Sequence, residues 1–352
     1  MGNKTAPVEF ILKDFSDEPS YQTLTFTVFL VVFLTALVNN VLITVVIIQT
    51  PALWTPMYFF IGNLGILDTC YISTIVPRLL VSSLAQNKKI TFGGCLVQLY
   101  FFFKLSVTES TILAAMSYDR YMAICNPLHY MVVMNKKVCM QLAMISWMNG
   151  IAYSTIQTAI VYSLDFCKSN IVDHFFCDIP PLLHISCSGT KIVEIIVILL
   201  GSVLVLPSFL FIVISYFYIV RTILRIPSAT GRRKTFSTCV SHLINVSLFY
   251  LAGTSVYTRP APRSSDLLQI KISAVFYTVF VPLVNPAIYS LRNCELKGSI
   301  RKNFNRITGI FLLKHPPGAI VAFVLLHKLQ NLMCTRRSAN NTNYIHTPAC
   351  TK

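Results

Sequence analysis

Residues 192–220 read IVEIIVILLGSVLVLPSFLFIVISYFYIV, and this stretch decides the class of fold. It contains one charged residue, Glu194. The hydrocarbon core of a bilayer is about 30 Å thick, and a helix of about 20 apolar residues crosses it. Similar stretches lie at 24–48, 57–80, 95–124, 138–162, 236–257 and 270–291. The sequence therefore predicts an all-α membrane protein, a seven-transmembrane helix bundle, with the third span as its least hydrophobic helix.

The composition supports the membrane prediction and argues against other classes. Of the 352 residues, 54% are hydrophobic and 12% are charged, and the mean hydropathy is +0.63. A soluble domain carries about twice this share of charge. The chain also lacks the H-E-x-x-H, G-x-S-x-G and phosphate-binding glycine patterns of enzymes. We therefore predict neither an enzyme nor a bound cofactor.

The distribution of charge predicts which end of the bundle faces the cytoplasm. Lys and Arg number 29 against 13 Asp and Glu, a net charge of +16. Cytoplasmic loops of membrane proteins carry an excess of Lys and Arg. With the N-terminus outside and the C-terminus inside, the inner segments hold Lys136, Lys137, Arg221, Arg225, Arg232, Arg233, Lys234, Arg292, Lys297, Arg301, Lys302 and Arg306. We predict this orientation, in which the basic excess requires no nucleic acid.

The orientation divides the chain into four regions. Residues 1–23 form an extracellular N-terminus with a glycosylation sequon at Asn3, and residues 24–291 form the seven-helix domain. Residues 292–306 are predicted to form a short basic helix on the membrane surface. Residues 307–352 are predicted to be an atypical cytoplasmic tail, because its apolar runs are too short to cross a bilayer. Its remaining sequence is polar and rich in Ser, Asn and Thr, which predicts disorder.

Three cysteines fall within one polar stretch on the predicted outer side: Cys167, Cys177 and Cys187. No C-x-x-C pair occurs in the chain, so a zinc module is not indicated. In an oxidising compartment such cysteines form disulfides. No metal site is predicted.

Polar residues at mid-span depth cost free energy in a bilayer, so each of them is a candidate functional residue. They are Asn40, Asp68, Glu109, Ser110 and Asn285, on different spans. One interpretation is a polar switch core that binds Na⁺. The other is a network of hydrogen bonds that only holds the helices together. The two are compatible, and the sequence leaves both open.

Two further motifs lie at the predicted inner end. Asp119-Arg120-Tyr121 ends the third span, where the neighbouring acid can pair with the Arg and its release can expose a docking site. The seventh span ends in 285–289, NPAIY, after Pro282. Proline removes a backbone donor and kinks a helix, so this segment is either a static kink or a hinge that swings Tyr289 into the bundle.

These motifs occur together with further segments in a specific order and spacing. The segments are PMYFF at 56–60, MSYDRYMAICNPL at 116–128, SY at 215–216, KTFSTCVSHL at 234–243 and PLVNPAIYSLRN at 282–293. The set resembles the rhodopsin-like G-protein-coupled receptors and, within them, the vertebrate olfactory receptors of the tetrapod-type class II branch. The resemblance covers residues 1–306.

The resemblance implies an odorant receptor in the plasma membrane, expected in the cilia of olfactory sensory neurons. Its partners would be a small volatile odorant, a heterotrimeric stimulatory G protein that raises cyclic AMP, and membrane lipid. The implied disulfides are Cys95–Cys177 and Cys167–Cys187. Arg120 would be the coupling residue, with Tyr216 and Tyr289 as its active-state partners, and Asp68 and Glu109 would form the ion or proton site. The coupling and switch set is Asp119, Arg120, Tyr121, Tyr216, Asn285, Pro286 and Tyr289, and the ion or polar core is Asn40, Asp68 and Glu109.

Helical periodicity outlines a ligand pocket in the outer half of the bundle. The predicted lining is Phe102, Phe103, Ser106, Ser110, Tyr250, Gly253, Thr254, Tyr257, Tyr277 and Thr278. None of these side chains carries a formal charge. Such a pocket suits a small uncharged ligand and not a biogenic amine, which requires a carboxylate partner. The alternative is that the Phe side chains only pack the core.

Other functions remain as alternatives. A seven-span ion-coupled transporter would use Asp68, Glu109 and Asn285 as an ion path, but no internal repeat is apparent. A retinal-binding photoreceptor would need a lysine at position 279, which is Val279. A family member that does not signal is a further alternative.

Overall fold

Seven long helices form the chain's main unit, in which the spans are numbered here in chain order. The structure is a computed structural model that describes residues 9–15, 18–85, 88–167, 169–187, 190–257, 267–292, 296 and 298–300. The spans are Pro19–Gln49, Pro56–Ala85, Phe92–Cys125, Lys136–Tyr162, Thr190–Leu224, Ala229–Tyr257, and a seventh made of Leu267–Val275, Phe276–Phe280 and Val281–Arg292. Short helices at Pro51–Leu53, Tyr130–Val133 and Ile179–Ile185 lie between spans. Asn3 and the tail 307–352 lie outside the described residues, as does most of the region 292–306.

Span 4, and not span 3, is the span in which the described residues contain no stretch apolar enough to cross a membrane by composition alone. In the part of the chain that the structure describes, the other six spans contain a stretch long and apolar enough to cross a membrane. Span 4 differs because its polarity comes from uncharged side chains. Ser146, Ser154 and Gln157 are all buried within the bundle. The prediction failed because it weighed the visible charges of span 3 and overlooked these residues.

Glycines set the closest approaches between spans. A Cβ atom at Gly150 of span 4 would collide with the Thr108 hydroxyl and the Lys104 carbonyl of span 3. At Gly65 of span 2 it would collide with Thr44 of span 1. Transmembrane helices associate largely through such close packing, because lipid supplies no hydrophobic force between them. These two contacts allow span 1 to pack closely on span 2 and span 3 to pack closely on span 4.

A small sheet covers the end of the bundle that carries the N-terminus, called here the outer end. Strand β1 (Glu9–Leu12) pairs antiparallel with β2 (Lys89–Thr91) and parallel with β3 (Ile171–Val172). Such short strands are marginal alone and form only when distant loops meet. The expectation of an all-α protein therefore holds for the bundle but missed this sheet.

A buried lysine anchors the outer sheet to span 7. Lys271 Nζ donates to the Asp14 carbonyl at 3.0 Å and pairs with Asp173 Oδ1 at 2.6 Å. The Ser82 hydroxyl of span 2 donates to Asp14 Oδ2 at 2.8 Å. Burial raises the pKa of Asp14, although Ser82 and nearby cations oppose the shift. These bonds join the N-terminal segment to spans 2 and 7.

We expect Gly150→Val to destabilise the bundle by about 1–3 kcal/mol, because the added side chain forces spans 3 and 4 apart. The measurement is the thermal unfolding midpoint of the purified chain in detergent. Gly93→Ala is the matched control, because a Cβ atom at Gly93 would meet no atom within 4 Å. Equal midpoints for both variants would contradict the proposed packing role of Gly150.

Candidate functional site

One disulfide ties the loop between spans 4 and 5, called here the second outer loop, to span 3, and a second disulfide closes that loop on itself. The structure joins Cys95 to Cys177, with Cα atoms 5.5 Å apart, and Cys167 to Cys187, with Cα atoms 5.8 Å apart. The Gln98 side chain of span 3 adds a bond, because its Oε1 accepts from the Cys177 amide at 3.0 Å. The loop is thereby fixed beside the outer end of span 3. Both pairs are those that the family resemblance implies.

An aromatic cluster lies beneath this loop, centred on Phe102. Its ring, 1% exposed, lies 5.0 Å from Phe103, 5.1 Å from Phe176, 5.6 Å from Tyr71 and 5.8 Å from Tyr277, measured between centroids. The cluster therefore brings together span 2, span 3, span 7 and the second outer loop. Aromatic rings present apolar faces with hydroxyl groups at their edges, a lining suited to small organic molecules.

A second contact lies deeper and connects span 3 to span 6. The hydroxyl groups of Ser110 and Tyr250 are 2.9 Å apart and hydrogen-bonded. The Tyr250 ring also lies 4.9 Å from Phe209 of span 5. The sequence prediction included Ser110 and Tyr250 but missed Phe209. From its position on span 6, Tyr250 thus contacts side chains of both span 3 and span 5.

The remaining predicted pocket residues fall into different places. Thr278 is fully buried in the π-helical turn Phe276–Phe280, where its hydroxyl donates to the Ala274 carbonyl at 2.7 Å. Thr254 is exposed, and its hydroxyl donates to the Tyr250 carbonyl. Ser106 and Gly253 are partly buried, and the side chain of Tyr257 lies outside the described residues.

The sequence reasoning missed Tyr71 and Phe176. Tyr71 lies on span 2, where no pocket face was predicted, and its ring contacts that of Phe102. Phe176 precedes Cys177, so the implied disulfide was a signal that could have placed it beside span 3. Loop residues follow no helical period, and periodicity alone does not find them.

The polar residues at mid-span depth all lie inside the bundle. Asn285 Nδ2 donates to Asp68 Oδ2 at 3.0 Å, and Asn40 Nδ2 donates to the Pro282 carbonyl at 2.9 Å. These bonds brace span 7 against spans 1 and 2. Asp68 Oδ1 and Glu109 Oε1 have no hydrogen-bond partner among the described residues. Oxygen atoms of this kind can accept from a water molecule or hold a proton or cation, so both interpretations of this core remain open.

At the inner end, opposite the sheet, Asp119 does not hold Arg120. The Tyr130 hydroxyl donates to Asp119 Oδ1 at 2.8 Å. Within the described ranges, no ion pair joins Asp119 to Arg120. The sequence-based expectation of that pair is therefore wrong for this structure. The physical reason is that adjacent residues point in different directions from a helix.

Side chains of span 6 form hydrogen bonds with Tyr216 and Tyr289, the two tyrosines that were expected to contact Arg120. The Tyr216 hydroxyl lies 2.8 Å from His242 Nδ1, and His242 Nε2 lies 3.0 Å from the Leu113 carbonyl. Because a carbonyl only accepts, Nε2 carries the proton, and Nδ1 of a neutral ring accepts from Tyr216. Asn245 Nδ2 donates to the Tyr289 hydroxyl at 2.7 Å. Neither His242 nor Asn245 received a role in the sequence prediction, although His242 lies in the quoted 234–243 motif.

The protein combines seven spans, a disulfide from span 3 to the second outer loop, a buried Asp–Asn centre and an Asp-Arg-Tyr motif. This combination defines a rhodopsin-like G-protein-coupled receptor. The sequence model of the olfactory receptor family matches residues 29–306. The chain belongs to the olfactory receptor family.

Individual relatives agree with the family match. The chain is 45% identical to olfactory receptor 5I1 of Homo sapiens over 300 residues, covering 85% of this chain and 95% of that protein. It is 44% identical to the olfactory receptor-like protein OLF1 of Canis lupus familiaris over 301 residues, covering 86% and 96%. Identity to olfactory receptor 10A7 of Homo sapiens is 44% over 304 residues, covering 86% and 96%.

We expect Cys95→Ala to block delivery of the receptor to the cell surface. The change removes the bond that fixes the second outer loop, and loss of a native disulfide typically costs about 2–5 kcal/mol. The measurement is surface staining of an N-terminal epitope in unpermeabilised cells. Cys70→Ala is the matched control, because Cys70 is a free, exposed cysteine. Equal staining of the two variants would contradict this role of Cys95.

Proposed function

We propose that this protein is an odorant receptor that binds a small, uncharged volatile compound in the outer half of the bundle. Binding would activate a stimulatory, olfactory-type G protein and raise cyclic AMP. The family match over residues 29–306 is the observation that carries this proposal. Neither an ion-coupled transporter nor a non-signalling family member is favoured by the similar proteins.

The chemistry of the aromatic cluster and of the Ser110–Tyr250 contact supports an uncharged ligand. Phe102, Phe176 and Tyr277 offer ring faces, and Ser110 and Tyr250 offer hydroxyl groups. A ligand with one hydrogen-bond acceptor, such as a ketone, ester or alcohol, can satisfy a hydroxyl while its carbon skeleton contacts the rings. A charged amine would lose its hydration here, and none of these five side chains is a carboxylate that could pair with it.

The contacts of span 6 support a route from ligand to G protein. Tyr250, Asn245 and His242 lie on this one helix and bond to spans 3, 7 and 5. A ligand that competes for the Tyr250 hydroxyl favours a different position of span 6. Movement of span 6 would release Tyr216 and Tyr289 toward Arg120. In this mechanism the ligand shifts an equilibrium between two arrangements of existing hydrogen bonds.

The orientation is part of the same proposal. The outer end, with the sheet, the disulfides and Asn3, would face the outside, and Asp119-Arg120-Tyr121 would face the cytoplasm. The basic segments at the inner ends of spans 5 and 6 support this arrangement through the positive-inside bias. Residues 292–306 would lie on the inner membrane surface, and ciliary membrane is the proposed location.

The test of the proposed function is a cyclic AMP reporter screen of small volatile compounds. Cells would express the full chain or the chain cut after residue 306, with surface staining of both. We expect a concentration-dependent response from the full chain. A well-stained receptor that raises no cyclic AMP with any compound of a broad panel would argue against the proposal. The shortened chain would reveal whether residues 307–352 affect signalling.

We expect Tyr250→Phe to shift the half-maximal concentration of an active compound by about 2–10-fold, since one hydrogen bond contributes about 0.5–1.5 kcal/mol. The shift is measured in the same reporter assay at matched surface expression. Tyr218→Phe is the control, because Tyr218 lies on span 5 with 47% of its side chain exposed. A shift of the same size in both variants would contradict a specific role for the Tyr250 hydroxyl.

We expect Arg120→Ala to abolish the cyclic AMP response and to leave surface staining near the level of the unchanged receptor. Arg120 is partly buried at the inner end and forms no ion pair among the described residues, so its loss leaves no acid unpaired. The response is measured at a saturating concentration of an active compound. Full signalling by a well-stained Arg120→Ala receptor would refute the coupling role.

A further inference from the structure

The inner ends of spans 5 and 6 border a cavity, open to the surface, that the proposed signalling mechanism does not use. Its volume is about 290 Å³. The lining comprises Val220, Ile223, Leu224, Ala229, Arg232, Arg233 and Phe236. Five of these side chains are apolar and two are guanidinium groups. The wall of the cavity is therefore mostly apolar, and Arg232 and Arg233 near the start of span 6 border it.

The turn between the two spans is short and hydrogen-bonded. The Ile226 amide donates to the Ile223 carbonyl at 3.1 Å, and the Arg232 amide donates to the Ser228 carbonyl at 2.9 Å. The Ser228 hydroxyl also accepts from the Gly231 amide at 3.2 Å. These bonds order the end of span 5 and the start of span 6, so few residues separate the two helices at the cavity.

The stretch of sequence around the two arginines supplies no acidic residue to pair with them. The chain contains no Asp or Glu between Glu194 and Asp266. Arg232 and Arg233 are exposed, and neither forms an ion pair with any residue that the structure describes. The two guanidinium groups are therefore available to bind an anion from outside the chain.

The apolar wall indicates where that anion comes from. Leu224 and Phe236 are 66% and 48% exposed, and Val220 is 40% exposed. Apolar side chains exposed on the outer surface of a transmembrane bundle lie against lipid acyl chains. Arginine binds phosphate through paired hydrogen bonds, and basic pockets between helices on the cytoplasmic side bind anionic headgroups. A soluble anion would use the guanidinium groups and leave the apolar wall exposed to water.

We propose that this cavity binds an anionic phospholipid of the inner leaflet, with its phosphate on Arg232 and Arg233 and its acyl chain along Leu224 and Phe236. The proposal requires this end of the bundle to face the cytoplasm, but it does not require an odorant response. Because the lipid contacts span 5 and span 6 at once, its binding favours the arrangement in which their inner ends lie together.

The test measures lipid adducts on the purified full chain by native mass spectrometry in neutral detergent. The probe is a short-chain phosphatidylinositol bisphosphate, with short-chain phosphatidylcholine and inositol trisphosphate as comparisons. We expect the double change Arg232→Gln and Arg233→Gln to weaken binding of the anionic lipid at least about tenfold, because each basic residue contributes about 1 kcal/mol. Ala229→Trp, which fills the cavity and keeps both arginines, should also weaken it.

The matched control is Lys136→Gln with Lys137→Gln, which removes the same charge from exposed positions at the start of span 4. It should bind the anionic lipid like the unchanged receptor. Equal weakening by the lysine and arginine changes would overturn the site in favour of general charge attraction. Inositol trisphosphate binding as tightly as the lipid would overturn the role of the apolar wall. Unchanged lipid binding with lost G-protein activation in the arginine variant would assign the cavity to the G protein instead.

Discussion

The bilayer obliges a membrane-spanning helix to satisfy its polar groups inside the protein, and span 3 is where this constraint has most effect. Along its length span 3 bonds to Cys177 of the outer loop, to Tyr250 and to His242 of span 6, and to Tyr130 of the inner loop. Its remaining surface is closely packed against span 4 at Gly150. Other spans are therefore positioned by the polar groups that span 3 presents at each depth.

Span 6 is held differently, and the difference suits a moving part. Its bonds at Tyr250, His242 and Asn245 are single hydrogen bonds between neutral groups. Each contributes about 0.5–1.5 kcal/mol, an amount that a bound small molecule can offset. A disulfide or a buried ion pair at these positions would hold the helix too firmly. The outer end does contain such bonds, at Cys95 and at Lys271, and there the structure joins loops rather than spans that are proposed to move.

The sequence predicted the features that follow a local rule and missed those that depend on distant contacts. Hydropathy located the seven spans, and the family motifs identified the disulfide pairs. The strand Glu9–Leu12 was missed because its partners are loops far away in the sequence. The aromatic cluster was predicted in part. Helical periodicity indicated Phe102 and Tyr277, but it did not indicate Phe176, because Phe176 belongs to a loop. The Asp119–Arg120 pairing failed because sequence adjacency does not reveal that Tyr130 bonds to Asp119.

One feature of composition is common to both ends of spans 5 and 6: no Asp or Glu occurs between Glu194 and Asp266. In the outer half, residues 195–265 bring no carboxylate to the contact of Phe209 with Tyr250, and the acid whose charge reaches Tyr250 is Glu109 of span 3. At the inner end the same lack of acids leaves Arg232 and Arg233 without a counter-ion from this stretch. A membrane offers an uncharged volatile compound from one side and an anionic headgroup from the other. The same stretch of sequence thus contributes uncharged side chains to the outer half of the bundle and arginines to its inner end.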